Sequence, residues 1–316
     1  MKSFAFVFPG QGSQSVGMLD AWGDHPVVAH TLAEASDALG QDLGLLIREG
    51  PKEALALTTN TQPVMLVAGV AAYRVWISET GTAPSVFAGH SLGEYSALVA
   101  SGVLTLTQAV PLVRLRAHAM QDAVAVGEGA MAAILGMDAI KVIAGCVEAT
   151  GTFGPNSSEI VEAVNFNDPL QTVIAGSKAA VDAACTLLKS NGAKRALLLP
   201  VSAPFHSSLM KPAAEKLKLA LADLQLAEPL IPVVNNIDVA TQTDASQIRD
   251  ALYRQAFGPV RWVECIQAIK DSGVSTIVEC GPGKVLAGLV KRIDAELTGA
   301  ALFDPASLEQ LKETLA

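Results

Sequence analysis

Residues 86–102 read VFAGHSLGEYSALVASG. A short apolar run ends in Gly89, Ser91 stands between Gly89 and Gly93, and a helical pattern follows at once. Strand, sharp turn and helix in that order form the G-x-S-x-G nucleophile-elbow pattern. In it the turn lifts a serine hydroxyl to the top of a sheet and points a helix N-terminus at the reacting carbonyl. Such a unit belongs to a parallel sheet with crossover helices, so the stretch predicts an α/β fold. The bare pattern is weak, since a chain of this length matches it by accident on the order of one time in ten. Its setting and the lack of a second match favour a nucleophilic Ser91 over a turn in which Ser91 only caps a helix.

The same grammar extends in both directions. SFAFVF at 3–8 is a second short strand ending near glycine, and HTLAEASDALG at 30–40 and TQPVMLVAGVAAYRVWISETG at 61–81 have helical periodicity with glycines suited to C-caps. After Ser91, LTQAVPLVRLRAHAMQDAVA continues as a helix in which Pro111 must sit in a first turn or mark a kink. The middle of the chain differs. GAMAAIL, DAIKVIAGCVEATG, EIVEAVNF, QTVIAGS, KAAVDAACTLLKSNG and AKRALLLP read as β-α-β-β-α-β, the ferredoxin-like unit. We expect an inserted ferredoxin-like subdomain at 127–198 within a discontinuous α/β-hydrolase-like domain of residues 1–126 and 199–316, built on a parallel sheet. The large domain resumes with a helix at 206–224, a strand in IPVVNN and a strand-turn-helix in VSTIVECGPGKVLAGLVKRI.

Composition narrows the function. Hydrophobic residues are 50% of the chain and charged ones 17%, but no apolar run reaches the roughly 18 to 20 residues that span a bilayer. The N-terminal apolar run is too short for a signal peptide, which predicts a cytoplasmic protein. A net charge of −9 argues against nucleic acid as a partner, and an acidic partner would need a local basic patch. Cys146, Cys185, Cys265 and Cys280 form no C-x-x-C pair and sit in apolar patterns, so they read as buried reduced thiols and no metal site is expected.

A serine nucleophile needs a base. Of five histidines, His25 and His30 lie in an early polar segment, His118 falls within a helix, and His90 sits beside Ser91 on a turn that points it elsewhere, in a structural or orienting role. His206, in VSAPFHSS between an apolar strand and a helix, lies in a loop at the end of the sheet. A loop histidine taken alone is more often solvated; with Ser91 present it becomes the candidate base. The usual hydrolase order then asks for an acid between the two. Only Asp168, in a hairpin turn, is even a candidate, and none is well placed.

Several stretches together resemble one family, the malonyl-CoA:acyl-carrier-protein transacylases and the related acyltransferase domains of fatty-acid and polyketide synthases. They are FVFPGQGSQ, GHSLGEYSALVASG, RAHAMQ, GAMAAILG, VNFNDPLQTVIAG, VSAPFHSSLMKPA and ECGPGKVLAGLVKRI, in the family's order and over nearly the full length. The resemblance implies an α/β-hydrolase-like domain with a ferredoxin-like insertion. It also implies a ping-pong reaction in which Ser91, activated by His206, takes malonyl from malonyl-CoA and passes it to the phosphopantetheine thiol of acyl carrier protein, with no cofactor. In this family a main-chain carbonyl orients the histidine; RQAFGPVRW resembles the segment that supplies it, at Gln255. A carbonyl holds the tautomer without adding negative charge near an anionic substrate.

The resemblance extends to further residues. The backbone N–H groups of Leu92 and Gln11 would form the oxyanion hole, with Gly10 and Gly12 allowing close approach. Arg116, in RAHAMQ, would bind the malonyl carboxylate through its planar fork, while Arg114 should face elsewhere. Met120 would pack beside the pocket. Phe205 resembles the bulky residue of malonyl-selective members and would crowd a methylmalonyl group by about 1 to 3 kcal/mol. Asn165 and Asn167 match a block at the cleft between the lobes, although turn formation explains them equally well. Lys194, Arg195, Lys211, Lys284, Lys291 and Arg292 are candidates for a docking patch toward carrier and CoA phosphates; solvated helix faces carry such residues anyway. One departure stands out. Relatives often carry Asn-Pro after the orienting glutamine, where this chain has Gly258, and a glycine there is expected to loosen the loop.

Two other functions stay open on sequence grounds. A serine hydrolase or thioesterase would share Ser91 and His206 but has no use for an arginine aimed at an acyl carboxylate. A non-catalytic carrier-binding module would not keep the dyad. Within the transferase reading a polyketide role is chemically equivalent, and nothing in the chain demands more than a monomer.

Overall fold

The structure is a computed structural model that describes residues 3–201 and 203–315. Among these residues the chain runs β1 (Phe4–Phe8), α1 (Pro26–Leu39), α2 (Leu43–Glu49), α3 (Lys52–Ala56), α4 (Thr58–Thr80), β2 (Val86–Gly89), α5 (Gly93–Ala100) and α6 (Leu106–Asp122). It continues with β3 (Gly129–Leu135), α7 (Ala139–Gly151), β4 (Val161–Asp168), β5 (Gln171–Ser177), α8 (Lys178–Ser190), β6 (Arg195–Leu198) and α9 (Lys211–Ala222). The last elements are β7 (Val233–Val234), α10 (Ala245–Gln255), α11 (Trp262–Asp271), β8 (Thr276–Cys280), α12 (Val285–Ile293), β9 (Thr298–Leu302) and α13 (Pro305–Leu315).

One sheet has the order β7-β2-β1-β8-β9, and every pairing in it is parallel. A parallel sheet is covered on both faces, which is why all five residues of β1 are buried. Period-2 alternation divides them. Phe4, Phe6 and Phe8 face the core made with α1, α4, α6 and α9, while Ala5 and Val7 face α11 and α12. Each buried phenylalanine contributes roughly 1.5 to 3 kcal/mol. α4 is buried along most of its 23 residues, as expected of a helix that is apolar all round. Pro111 lies inside α6, which starts at Leu106 behind a Thr105–Gln108 capping box.

The second sheet has the order β4-β5-β3-β6 and is antiparallel throughout. With α7 and α8 on one face this is the ferredoxin-like arrangement, so the two-part α/β fold stands as expected. Its other face carries Met131, Ala133, Val173 and Ala175 with Phe205 and Leu199 against them, and turns toward Ser91. β4 also ties the antiparallel sheet to the loop between α10 and α11. The Val260 N–H donates to Val164 O at 2.8 Å and the Phe166 N–H to Val260 O at 3.0 Å. β9 and α13 close the parallel sheet beyond β8; TGAAL, rich in Gly and Ala, carries little strand signal of its own.

The tie through Val260 bears on Gly258. The loop between α10 and α11 is fastened to β4 and leaves no space at Gly258, where a Cβ would collide with the Ile237 side chain and lie 2.8 Å from Arg254 O. The glycine therefore permits tight packing, contrary to the expected loosening. Gly258→Ala should destabilise the protein by about 1 to 3 kcal/mol in urea unfolding; an unchanged midpoint would mean that the loop has room to spare.

Candidate active site

The elbow exists because two glycines let backbone meet backbone. A Cβ on Gly89 would collide with the Gly93 carbonyl, and one on Gly93 with the Phe8 carbonyl. Gly10 likewise approaches His90 O, where a Cβ would lie at 2.7 Å, whereas Gly12 has open space and contributes a φ of 119°. Ser91 itself has φ 53° and His206 has φ 66°. Left-handed backbone at a non-glycine residue costs on the order of 1 to 3 kcal/mol and persists only where the surroundings enforce it.

His206 Nε2 lies 2.6 Å from Ser91 Oγ, and His206 Nδ1 lies 2.9 Å from Gln255 O. A carbonyl can only accept, so Nδ1 carries the proton and Nε2 is left to accept from the serine hydroxyl. Burial first and the Arg116 charge second push the His206 pKa down to about 3, with the Gln255 carbonyl acting in the opposite direction. The imidazole is neutral across the neutral range.

Arg116 projects from α6 and is 2% exposed. Its guanidinium donates to Gln62 Oε1 at 2.8 Å, to Gln255 Oε1 at 3.2 Å and to Ser91 Oγ at 3.3 Å, and it packs over the Tyr95 ring. Its Nε has no acceptor among the described residues, nor does any carboxylate form an ion pair with the group. Burial lowers its pKa for that reason. Arg114, two residues away, instead bonds Gln41 and Asn60.

These groups converge on a cavity of about 120 Å³, the share of roughly four water molecules. Ser91, His206, Arg116, Gln11, Leu92 and Asn165 line its polar side, and Met120 and Phe205 are part of its apolar wall. The backbone N–H groups of Leu92 and Gln11 have no acceptor among the described residues. Asn165 Oδ1 is buried without a partner.

Several expected residues sit elsewhere. Asn167 lies outside the cavity lining and bonds His90 Nε2 at 2.8 Å. β4 is bulged on both sides of Asn165 and Phe166, and bulges re-aim side chains, so Asn165 and Asn167 do not share a face. His90 meets the cavity rather than pointing away from it, with its ring edge-on to Trp262. The basic residues do not gather at the cavity. Arg292 pairs with Asp168 at 3.3 Å, Lys284 lies over the Phe303 ring and Lys211 over that of Phe257. Lys194 and Arg195 stand at the end of β6 opposed to Leu135, about four residues or 13 Å along the strand from Leu199. All four cysteines are free as expected, though Cys185 is only half-buried.

Sequence reasoning passed over Gln62, Asn236, Glu94 and the side chain of Gln255. Gln62 stands in the first turns of an apolar helix and carries no local motif. Asn236 had a signal, as a polar residue at the carboxyl end of a parallel strand, where α/β sites form. So did Glu94, a charge in the otherwise apolar run that begins α5.

The acyl transferase domain family matches residues 5–300. The chain belongs to this family. The malonyl CoA-acyl carrier protein transacylase of Salmonella typhimurium (strain LT2) is 52% identical over 309 residues, 98% of this chain and 98% of that protein. The Burkholderia pseudomallei 1710b acyl-carrier-protein S-malonyltransferase structure is 62% identical at a TM-score of 0.95, covering 99% of this chain and 100% of that one. A malonyl-transacylase solved in complex with its holo type II PKS acyl-carrier protein is 50% identical at a TM-score of 0.95, covering 99% and 100%. This member of the acyl transferase family is thus an acyltransferase, as the seven sequence blocks implied.

Proposed function

We propose that the enzyme transfers malonyl from malonyl-CoA to the phosphopantetheine thiol of an acyl carrier protein, through a malonyl-Ser91 ester, to supply extender units for fatty-acid synthesis. Ser91 Oγ attacks the thioester carbonyl while His206 Nε2 takes its proton. The oxyanion rests on the Leu92 and Gln11 N–H groups, and the CoA thiolate leaves with the proton from His206. The carrier thiol reverses these steps. Every residue named comes from one chain, so a monomer suffices, and free thiols and substrates of this kind suit the cytoplasm.

The observation that carries this reading is Arg116. A buried guanidinium that makes no ion pair with a carboxylate among the described residues and lies 3.3 Å from the nucleophile calls for an anionic group on the acyl chain. The small cavity supports a short acyl group. Phe205 and Met120 leave little room for an α-methyl, which favours malonyl over methylmalonyl. Arg116→Ala should lower kcat/KM for malonyl-CoA by roughly 10²- to 10³-fold and leave acetyl-CoA, which lacks the carboxylate, much less affected. Equal losses on both donors would remove the carboxylate role. To test the reaction itself, holo acyl carrier protein and malonyl-CoA are mixed with the enzyme and the carrier is weighed: one malonyl gained per thiol supports transfer, and free malonate in its place supports a thioesterase.

A further inference from the structure

Ser91 has a strained backbone, and both of its peptide groups are held from outside the elbow. Its N–H donates to Asn236 Oδ1 at 2.7 Å, and its carbonyl accepts from Gln255 Nε2 at 2.9 Å. Asn236 is oriented by its own Nδ2, which donates to Gly89 O at 2.7 Å. Asn236 and Gln255 come from the end of β7 and the end of α10, and they meet at one atom. Glu94 Oε2 accepts from the Asn236 N–H at 2.8 Å and from Gln255 Nε2 at 3.0 Å. The Glu94 N–H itself donates to Ser91 O at 3.1 Å, which closes the ring.

We propose that Glu94 is a positioning residue for the transfer reaction, its Oε2 fixing the two side chains that hold Ser91 in its reactive backbone conformation. The proposal rests on the reading of Ser91 as the nucleophile. Gln255 widens its reach, because the same residue accepts from Arg116 through Oε1 and from His206 through its carbonyl. Nucleophile, base and arginine thus share a single support, and Glu94 fixes how that support is turned.

Glu94 is 2% exposed. Burying a carboxylate is costly, and here burial raises its pKa to about 7 against the pull of the two hydrogen bonds and of Arg116. The titratable groups that face it are Arg116 of α6, Tyr95 of its own helix, Cys265 of α11 and Asp238 of the loop after β7. The task described needs an acceptor oxygen with the right reach, and an amide oxygen meets it without a charge.

The test compares full-length Glu94→Gln and Glu94→Leu with the wild type by melting temperature, by kcat and KM for malonyl-CoA, and by the rate at which a fluorophosphonate labels Ser91. The fluorophosphonate reports serine reactivity whatever the natural acyl group. Glu94→Gln should stay within about threefold of wild type in kcat and labelling. Glu94→Leu, of similar size but with no acceptor, should lose about 100-fold in both, the scale of a misplacement near 1 Å, with KM changed less than about threefold. A folded Glu94→Leu enzyme that labels and turns over normally overturns the proposal, as does a Glu94→Gln enzyme as impaired as Glu94→Leu. If Glu94→Leu does not fold, Asn236→Ala cuts the same ring at the Ser91 N–H, and unchanged labelling there overturns it equally. Glu94-dependent labelling in an enzyme that shows no malonyl turnover would uphold the positioning role and sink the malonyl reading alone.

Discussion

Ser91→Ala, incubated with malonyl-CoA and no carrier protein, should keep its unmodified mass while the wild type gains one malonyl group. The expected fall in turnover is about 10⁴-fold or more, because nucleophile and base act as a unit and the oxyanion donors alone retain only a small fraction of the acceleration. The fold should survive. Ser91 is already left-handed, so alanine meets the same backbone cost, and the hydroxyl faces a cavity that water can fill. Discharge of the wild-type adduct by holo acyl carrier protein would complete the ping-pong cycle. An adduct that persists in Ser91→Ala would move the nucleophile elsewhere. A wild type that takes up no mass yet releases CoA steadily would be a hydrolase.

His206→Ala should reduce the acylation rate by about 10³- to 10⁴-fold, with the thermal midpoint little changed. The pH dependence is equally specific. Burial, then the Arg116 charge, hold the imidazole near a pKa of about 3, so this residue should impose no acidic limb on acylation between pH 8 and pH 5. CoA release in a single turnover measures this directly; a limb near 6.5 would mean that His206 titrates as in water. The same shift affects stability, and its sign is fixed. Below pH about 6.5 the unfolded chain takes up a proton at this position that the folded chain refuses. Stability is therefore full above that pH and is lost progressively as pH falls toward 3. A malonyl carboxylate bound at Arg116 would offset the charge that weakens this base, so substrate binding should strengthen it.

Much of this site was legible because it is written locally. The elbow needs only a strand, two glycines, a serine and a helix in sequence, and Gly89 and Gly93 do meet backbone where that pattern requires it. The ferredoxin-like lobe was legible from period alone, since β3 to β6 alternate with two strongly amphipathic helices. His206 stood out as a loop histidine at the end of the sheet once Ser91 was in view, and the family resemblance added Arg116 through RAHAMQ and the Gln255 carbonyl through RQAFGPVRW. The missed residues have a common cause. Gln62, Asn236 and Glu94 touch groups far away in the chain, and although Asn236 and Glu94 stand out locally as polar residues in apolar settings, a hydrogen bond between residues 142 positions apart leaves nothing in either neighbourhood to say which group is met.

By itself, the sequence determined the α/β class and the order of elements, and it singled out Ser91 and His206 as the pair proposed for nucleophile and base, because hydrophobic period, turn chemistry and motif spacing act over a few residues. Tertiary structure alone decided how those parts are aimed. It set Asn165 in the cavity and Asn167 behind it through a pair of bulges, and fastened the Gly258 loop through Val260. It also put the Arg116 guanidinium 3.3 Å from Ser91 Oγ without an ion pair to any carboxylate among the described residues. Direction and distance between side chains depend on backbone brought together from opposite ends of the chain, and only packing supplies that.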